Sequence, residues 1–203
     1  MASTAEDRRQ LTKSTADEVV TYLLDAYQDE RGVHAETVIG AAAALTGEHI
    51  LRACHTDEQL AGNGWITSSP ADAFLFEDEQ DITIYDLIKA ITGLKDDMPD
   101  MVAITVRTAQ AIGGSPFPPL TVDQVNYPHE WSPNAGVTHR DAIMRMAEKR
   151  GLSPRERALA LGMATAILIN SAAGMLDKKI SALLAMEIMT GVTKMKPLEQ
   201  SVN

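Results

Sequence analysis

Cysteine is almost absent from this sequence: Cys54 is the one cysteine among 203 residues. A disulfide within the chain and a zinc site built from several cysteines are therefore both excluded. The first ten residues are polar and mixed in charge, and they lack the apolar stretch that is typical of a signal peptide. From these two absences we predict a cytoplasmic protein. The sequence also lacks internal repeats and low-complexity segments.

Basic residues are too few for a general binder of nucleic acid. The formal net charge is -10, whereas neutralisation of phosphates supplies most of the non-specific affinity for nucleic acid. The charge is also uneven, since residues 57–100 carry eleven acidic and two basic side chains, and residues 138–203 carry six acidic and ten basic ones. This pattern is typical of solvated surfaces, and it would also let the acidic middle of one subunit contact the basic end of another.

Charged residues are absent from residues 158–176, a run of nineteen. The run is long enough to cross a bilayer, which needs about 20 predominantly apolar residues. Six alanines and several polar or glycine residues dilute it, however, whereas lipid-facing helices are richer in large aliphatic residues. We therefore expect no membrane insertion. The composition favours a helix at the centre of a bundle or at a homodimer interface.

Most of the sequence patterns that indicate secondary structure are typical of helices. A capping box at Thr15 and Glu18 predicts a first helix after a flexible tail at residues 1–14. Alanine and glycine at residues 40–47 predict an interior helix over about residues 35–55. Further helices are predicted over residues 83–93, 99–112, 138–151, 154–173 and 177–194, with a strand as the alternative at residues 99–112, where β-branched residues recur. We predict a mainly α, single-domain bundle of six to eight helices over residues 15–203, with one short β-hairpin as an optional element.

A long connection at residues 113–137 separates two of these helices. Its five prolines exclude a long helix. Connections of this length are usually functional lids, packed surface loops or disordered linkers. Apolar side chains such as Phe117, Leu120 and Trp131 give the segment material to pack against the helices. We therefore predict an ordered arm that lies across the helical body.

One candidate site lies on the predicted helix at residues 35–55. Glu48, Arg52 and His55 are spaced i, i+4, i+7 and share one helix face. The spacing could place a base beside a carboxylate, but the guanidinium between them disfavours a metal ion. The pattern favours an exposed row of ion pairs that ends in a histidine. Cys54 next to His55 is predicted to be a small buried apolar residue.

The second candidate site lies on the arm, where aromatic and titratable side chains occur in irregular backbone. Loops carry binding residues more often than helices do. A competing interpretation is that the aromatic rings pin the arm to the helices while the titratable groups stay solvated. We predict no metal and no cofactor, and we assign no catalytic residue. The ligand-binding candidates of the arm are Tyr127, His129, Glu130, Trp131 and His139.

Residues 152–158 read Leu-Ser-Pro-Arg-Glu-Arg-Ala. This stretch resembles the opening of the LuxR-type helix-turn-helix domain and that of carboxymuconolactone decarboxylase-like helical proteins. The polar recognition helix of the first family and the cysteine motif of the second do not follow in this sequence. No functional residue is therefore carried over from either family.

Two hypotheses of function remain. The first is a non-enzymatic assembly or interaction protein that forms a homo-oligomer through its alanine- and glycine-rich helices. The second is a helical enzyme or small-molecule-binding protein with a site between the helix at residues 35–55 and the arm at residues 127–139. The second hypothesis predicts that residues distant in sequence meet in one concave pocket with perturbed pKa values. The sequence favours the first hypothesis, and hence a protein that is not an enzyme.

Overall fold

The computed structural model describes residues 4–77 and 81–199 of the chain. In chain order the described α-helices and strands are α1 (Ala5–Ala26), β1 (Gln28–Asp29), β2 (Gly32–Val33), α2 (Ala35–Cys54), α3 (Asp57–Leu60), α4 (Ser69–Asp72), α5 (Ile84–Thr92), α6 (Met101–Ala111), α7 (Asn134–Lys149), α8 (Pro154–Ala172) and α9 (Lys178–Val192). The two strands pair antiparallel as a hairpin. The predicted mainly α fold with one short hairpin is confirmed.

Helix α2 is the centre of the bundle. Residues 37–51 are all buried, and the helix packs most extensively against α8 and α9. Small residues permit this close approach, because a side chain at Gly47 would place its Cβ 2.9 Å from the Met189 carbonyl oxygen. The prediction of an interior helix at this position is confirmed, with an end at Cys54.

The uncharged run forms most of α8 and is largely buried within the same chain. Helix α8 contacts α1, α2 and α5, and its Thr165 hydroxyl lies 3.1 Å from the Thr46 hydroxyl of α2. In the described part of the chain no helix has the length and apolar character to cross a membrane. Self-association remains a prediction, and a homo-oligomer would need surfaces other than these buried faces.

The first helix begins earlier than the sequence predicted. Thr4 and Asp7 form a capping box, and α1 begins at Ala5. Thr15, the predicted cap, is buried inside the helix and its hydroxyl donates to the Leu11 carbonyl oxygen. Residues 5–14 are helical rather than a flexible tail. Arg8 anchors this first part to α8, because its guanidinium donates to both carboxylate oxygens of Glu156.

Helix α7 also begins earlier than predicted. It starts at Asn134, and the predicted cap Thr138 lies within the first turns, where its hydroxyl donates to the Asn134 carbonyl oxygen. The irregular arm therefore comprises residues 112–133, with one 3-10 turn at Gln124–Asn126.

Two glycines allow the arm to pack closely against the helices of the bundle. A Cβ at Gly40 of α2 would lie 2.6 Å from the Ser132 hydroxyl oxygen, and a Cβ at Gly191 of α9 would overlap Pro118. Buried Glu187 of α9 holds the middle of the arm, since its carboxylate accepts from the Thr121 backbone N–H at 2.9 Å. Backbone and side chains of the arm therefore lie directly on α2 and α9.

Candidate functional site

The arm leaves an open cleft where it crosses the end of α1, the hairpin and the first half of α2. The cleft consists of two hollows whose linings share His129, and we refer to it as the arm cleft. The first hollow has a volume of about 350 Å³ and is lined by Tyr27, Asp29, Arg31, Gly32, Val33, His34, Thr37 and His129. The second has a volume of about 270 Å³ and is lined by Pro116, Phe117, Pro118, Leu120, Tyr127, Pro128, His129, Glu130, Trp131, Ser132 and Ile188.

A chain of hydrogen bonds links the arm to α1 beside the cleft. The Tyr27 hydroxyl donates to Glu130 Oε1 at 2.5 Å, and His139 Nε2 lies 3.2 Å from the same hydroxyl. On the other edge of the imidazole, Nδ1 lies 2.9 Å from the Tyr22 hydroxyl. One tautomer satisfies all four groups: His139 Nε2–H donates to Tyr27, and Tyr22 donates to Nδ1.

The pKa shifts in this chain keep its middle members uncharged. Burial raises the pKa of the Tyr27 hydroxyl well above its usual range, and the adjacent Glu130 carboxylate raises it further. Burial lowers the pKa of His139, and the Glu130 charge opposes this effect. At neutral pH the Tyr27 hydroxyl and the His139 imidazole are therefore both uncharged.

A pair of stacked histidines lines the first hollow, and one of them, His129, also lines the second. The rings of His34 and His129 are 3.5 Å apart between centroids, with an angle of 22° between their planes. Thr37 joins them, because its hydroxyl oxygen accepts from the His129 backbone N–H at 2.9 Å and lies 2.8 Å from His34 Nδ1. The polar side chains at the start of α2 therefore hold the arm at this point.

Aromatic rings form the wall of the second hollow. The Trp131 indole N–H donates to the Phe117 carbonyl oxygen at 2.6 Å, and the Tyr127 hydroxyl donates to the Leu120 carbonyl oxygen at 3.2 Å. These bonds hold both rings through their polar edges, so that the apolar ring faces remain available for contact. Trp131 is 45% exposed, which shows that this wall borders solvent.

The sequence candidates on α2 lie away from this cleft. Glu48 is buried and accepts hydrogen bonds from Arg52 and from Arg140 of α7. Burial alone would raise the pKa of Glu48, but the hydrogen bonds and charge of Arg140, with a smaller contribution from Arg52, hold it below its usual range. The row is therefore a buried ion triad, rather than the exposed ion-pair row that the spacing favoured. A side chain at Gly136 would overlap the Glu48 carboxylate.

His55 and Cys54 lie at the far end of α2. His55 Nε2 lies 2.7 Å from the hydroxyl oxygen of Ser68, which also caps α4. Cys54 is half-buried, and burial raises the pKa of its thiol despite the nearby charge of Arg155. Within residues 4–77 and 81–199, no group of three or more histidine, cysteine, aspartate or glutamate side chains is arranged to hold a metal ion.

The structure thus brings together Tyr127, His129, Glu130 and Trp131 on the cleft, with His139 behind it. Sequence reasoning missed Tyr22, Tyr27, His34 and Thr37, which come from α1 and the start of α2. A weak signal existed for Tyr27, because a tyrosine at the end of an amphipathic helix needs a hydrogen-bond partner when it is covered. The sequence does not show which distant segment covers it.

Comparison of the chain with protein-family models, with curated proteins and with solved structures found no match.

Proposed function

We propose that this protein binds a small organic molecule in the arm cleft. The observation that carries the proposal is the hydrogen-bonded chain of Glu130, Tyr27, His139 and Tyr22 beside an open concave surface. Groups with perturbed pKa values that converge on a cleft from distant segments are typical of binding and active sites. A loop that served only to cover the bundle would need apolar contacts and no such chain.

The geometry favours binding over catalysis. Both ring nitrogens of His139 lie within hydrogen-bond distance of a tyrosine hydroxyl, so the imidazole is not free to take a proton from a ligand. The chain instead fixes the position of Glu130 at the edge of the second hollow. A ligand would contact this carboxylate, the aromatic wall and the exposed edge of His129.

The experiment is a screen of uncharged, cationic and anionic fragments by saturation-transfer NMR on the unmodified protein and on two variants. Leu120→Trp places a larger side chain in the second hollow. Val125→Trp is the matched control, because Val125 is 80% exposed on the same arm and does not line the cleft. We expect fragments to bind the unmodified protein and Val125→Trp but not Leu120→Trp.

Circular dichroism of each variant checks that the fold is retained. Should Leu120→Trp unfold, the smaller change Leu120→Phe takes its place in the same screen. The proposal is overturned when no fragment binds, or when a folded variant with the filled hollow binds the same fragments as the control.

A further inference from the structure

We infer that the ligand of the arm cleft is a small organic cation, an ammonium group carried on an apolar body. This inference rests on the proposed function and names the class of ligand. Among the described residues that line the second hollow, Glu130 is the one carboxylate, and neither lysine nor arginine is present.

The charge of Glu130 has no cationic partner within the described chain. The buried or half-buried carboxylates Glu48, Glu156 and Glu187 are each paired with arginine, in the Glu48–Arg140, Glu156–Arg8 and Glu187–Arg107 pairs. Glu130 is exposed on the cleft. Glu130 instead accepts a hydrogen bond from the neutral Tyr27 hydroxyl. An ionised carboxylate offers about four lone-pair directions, so acceptor sites remain for an ammonium group.

The first hollow does not compensate this charge. Arg31 and Asp29 both line it, and their side chains lie 3.7 Å apart, so that their charges offset one another. Among the aspartate, glutamate, lysine and arginine side chains that line the two hollows, Glu130 is therefore the one whose charge is not offset by a neighbour. The formal charge of -10 on the whole chain adds a field that attracts cations toward any such cleft.

Aromatic side chains beside the carboxylate supply the second part of the recognition. Phe117, Tyr127 and Trp131 line the same hollow as Glu130. A cation within about 6 Å of an aromatic ring face is attracted by the ring quadrupole, and tryptophan gives the strongest attraction. Proline and leucine side chains complete the wall and suit the apolar body of the ligand.

The size of the hollow limits the ligand to a small molecule. A volume of about 270 Å³ lies just below the range of roughly 300–1,000 Å³ that is typical of pockets for drug-sized ligands. A monoamine with one aromatic ring or a short alkyl chain fits this description, whereas an anion would face the uncompensated Glu130 carboxylate.

Three probes with the same ring test the inference: 2-phenylethylammonium, 2-phenylethanol and 3-phenylpropanoate. The protein carries Trp65→Phe, which leaves Trp131 as its one tryptophan, and binding is read from the quenching of Trp131 fluorescence and from calorimetry. We expect the ammonium to bind at least about tenfold more tightly than the alcohol, because it adds an ion pair and a cation–π contact. The carboxylate probe should bind most weakly.

Glu130→Gln tests the role of the carboxylate. Glutamine keeps an acceptor for Tyr27, and we expect it to remove the preference for the ammonium while the affinity for the alcohol stays within about twofold. Glu58→Gln is the control: it makes the same charge change at an exposed position of α3 that does not line the cleft. This control should keep the preference.

The results distinguish a failure of the cation inference from a failure of the proposed binding site in the arm cleft. Equal affinity for the ammonium and the alcohol, or a preference that survives Glu130→Gln, overturns the cation inference but leaves the arm cleft as a binding site. The same holds when fragments from the NMR screen bind in the cleft and none of the three probes does. Absence of binding by every fragment and every probe overturns both.

Discussion

Among single residues, His49 has an ionisation that burial strongly alters. Its ring is buried next to Glu48, Nδ1 lies 3.0 Å from the Leu45 carbonyl oxygen, and Nε2 has no hydrogen-bond partner in the described structure. Burial lowers the pKa of His49 to about 4, although the charge of Glu48 opposes the shift. The imidazole is therefore neutral in the folded protein.

This shift predicts a loss of stability in mild acid. The pKa of His49 in the unfolded chain is about 6.5, so the unfolded state binds the proton first as the pH falls, and the stabilisation is lost between about pH 6.5 and pH 4. When the pH falls from 7 to 5, we expect the titration of His49 to lower the free energy of unfolding by about 2 kcal/mol.

Urea denaturation at several pH values measures this loss. His49→Leu removes the titrating group, and the difference in free energy of unfolding between this variant and the unmodified protein isolates its contribution from that of the carboxylates. A difference that does not change with pH would contradict the assignment of a neutral buried imidazole.

The buried position of Glu48 between two arginines predicts a large loss of stability when its charge is removed. Glu48→Gln leaves the guanidinium groups of Arg52 and Arg140 without their shared carboxylate. Removal of one partner from a buried ion pair typically costs about 3–5 kcal/mol. We expect a loss of that size in the free energy of unfolding, measured by urea denaturation. Glu148→Gln, at an exposed position of α7, should cost less than about 0.5 kcal/mol.

Among the elements, the arm depends on the glycine positions that face it. Gly40→Ala would place a Cβ 2.6 Å from the Ser132 hydroxyl and 3.1 Å from Pro128 Cγ, and the arm must shift to admit it. We expect this variant to lose about 1–3 kcal/mol of stability and to weaken fragment binding in the arm cleft, because the arm carries Glu130 and Trp131.

Gly174→Ala is the matched control for Gly40→Ala. A Cβ at Gly174 would have nothing within 4 Å, so the change should leave both stability and binding near their original values. Thermal unfolding and the NMR fragment screen measure the two effects. Unchanged binding by Gly40→Ala would mean that contact with α2 does not position the arm.

Element types were predictable where local chemistry decides them. The capping box of Ser153 and Glu156 with Pro154 at the first position marks the start of α8, and Thr83 and Gly93 flank α5, as the sequence predicted. The start of α1 was not predictable in the same way. Two capping boxes compete there, and contact between Arg8 and Glu156, 148 residues apart in sequence, supports the earlier one.

At the scale of the whole molecule, the burial of α8 within its own chain leads to a prediction about assembly. Ala164 is fully buried, and its neighbours belong to the same protein molecule. We expect Ala164→Leu to lower stability by about 1–3 kcal/mol or more through overpacking, without a change in oligomeric state. Ala173→Leu, at the exposed end of α8, should have little effect.

Light scattering and thermal unfolding at several protein concentrations measure this prediction. If Ala164→Leu acts within one chain, it lowers the midpoint temperature of thermal unfolding by the same amount at every protein concentration. A variant that stays folded but changes its mass would instead place α8 at a subunit contact. The same measurement on the unmodified protein tests the predicted homo-oligomer.

The sequence by itself determined the class of the fold, the interior position of α2 and the presence of an ordered arm. Capping residues, proline positions and runs of small or uncharged residues act locally, so they can be interpreted without coordinates. The sequence also placed Tyr127, His129, Glu130 and Trp131 together, because they are neighbours in the chain. Only the tertiary structure brought Tyr22, Tyr27 and His34 to these residues and moved Glu48 into a buried triad with Arg140. Such contacts depend on which helix faces pack together, and that choice is set by long-range packing rather than by local chemistry.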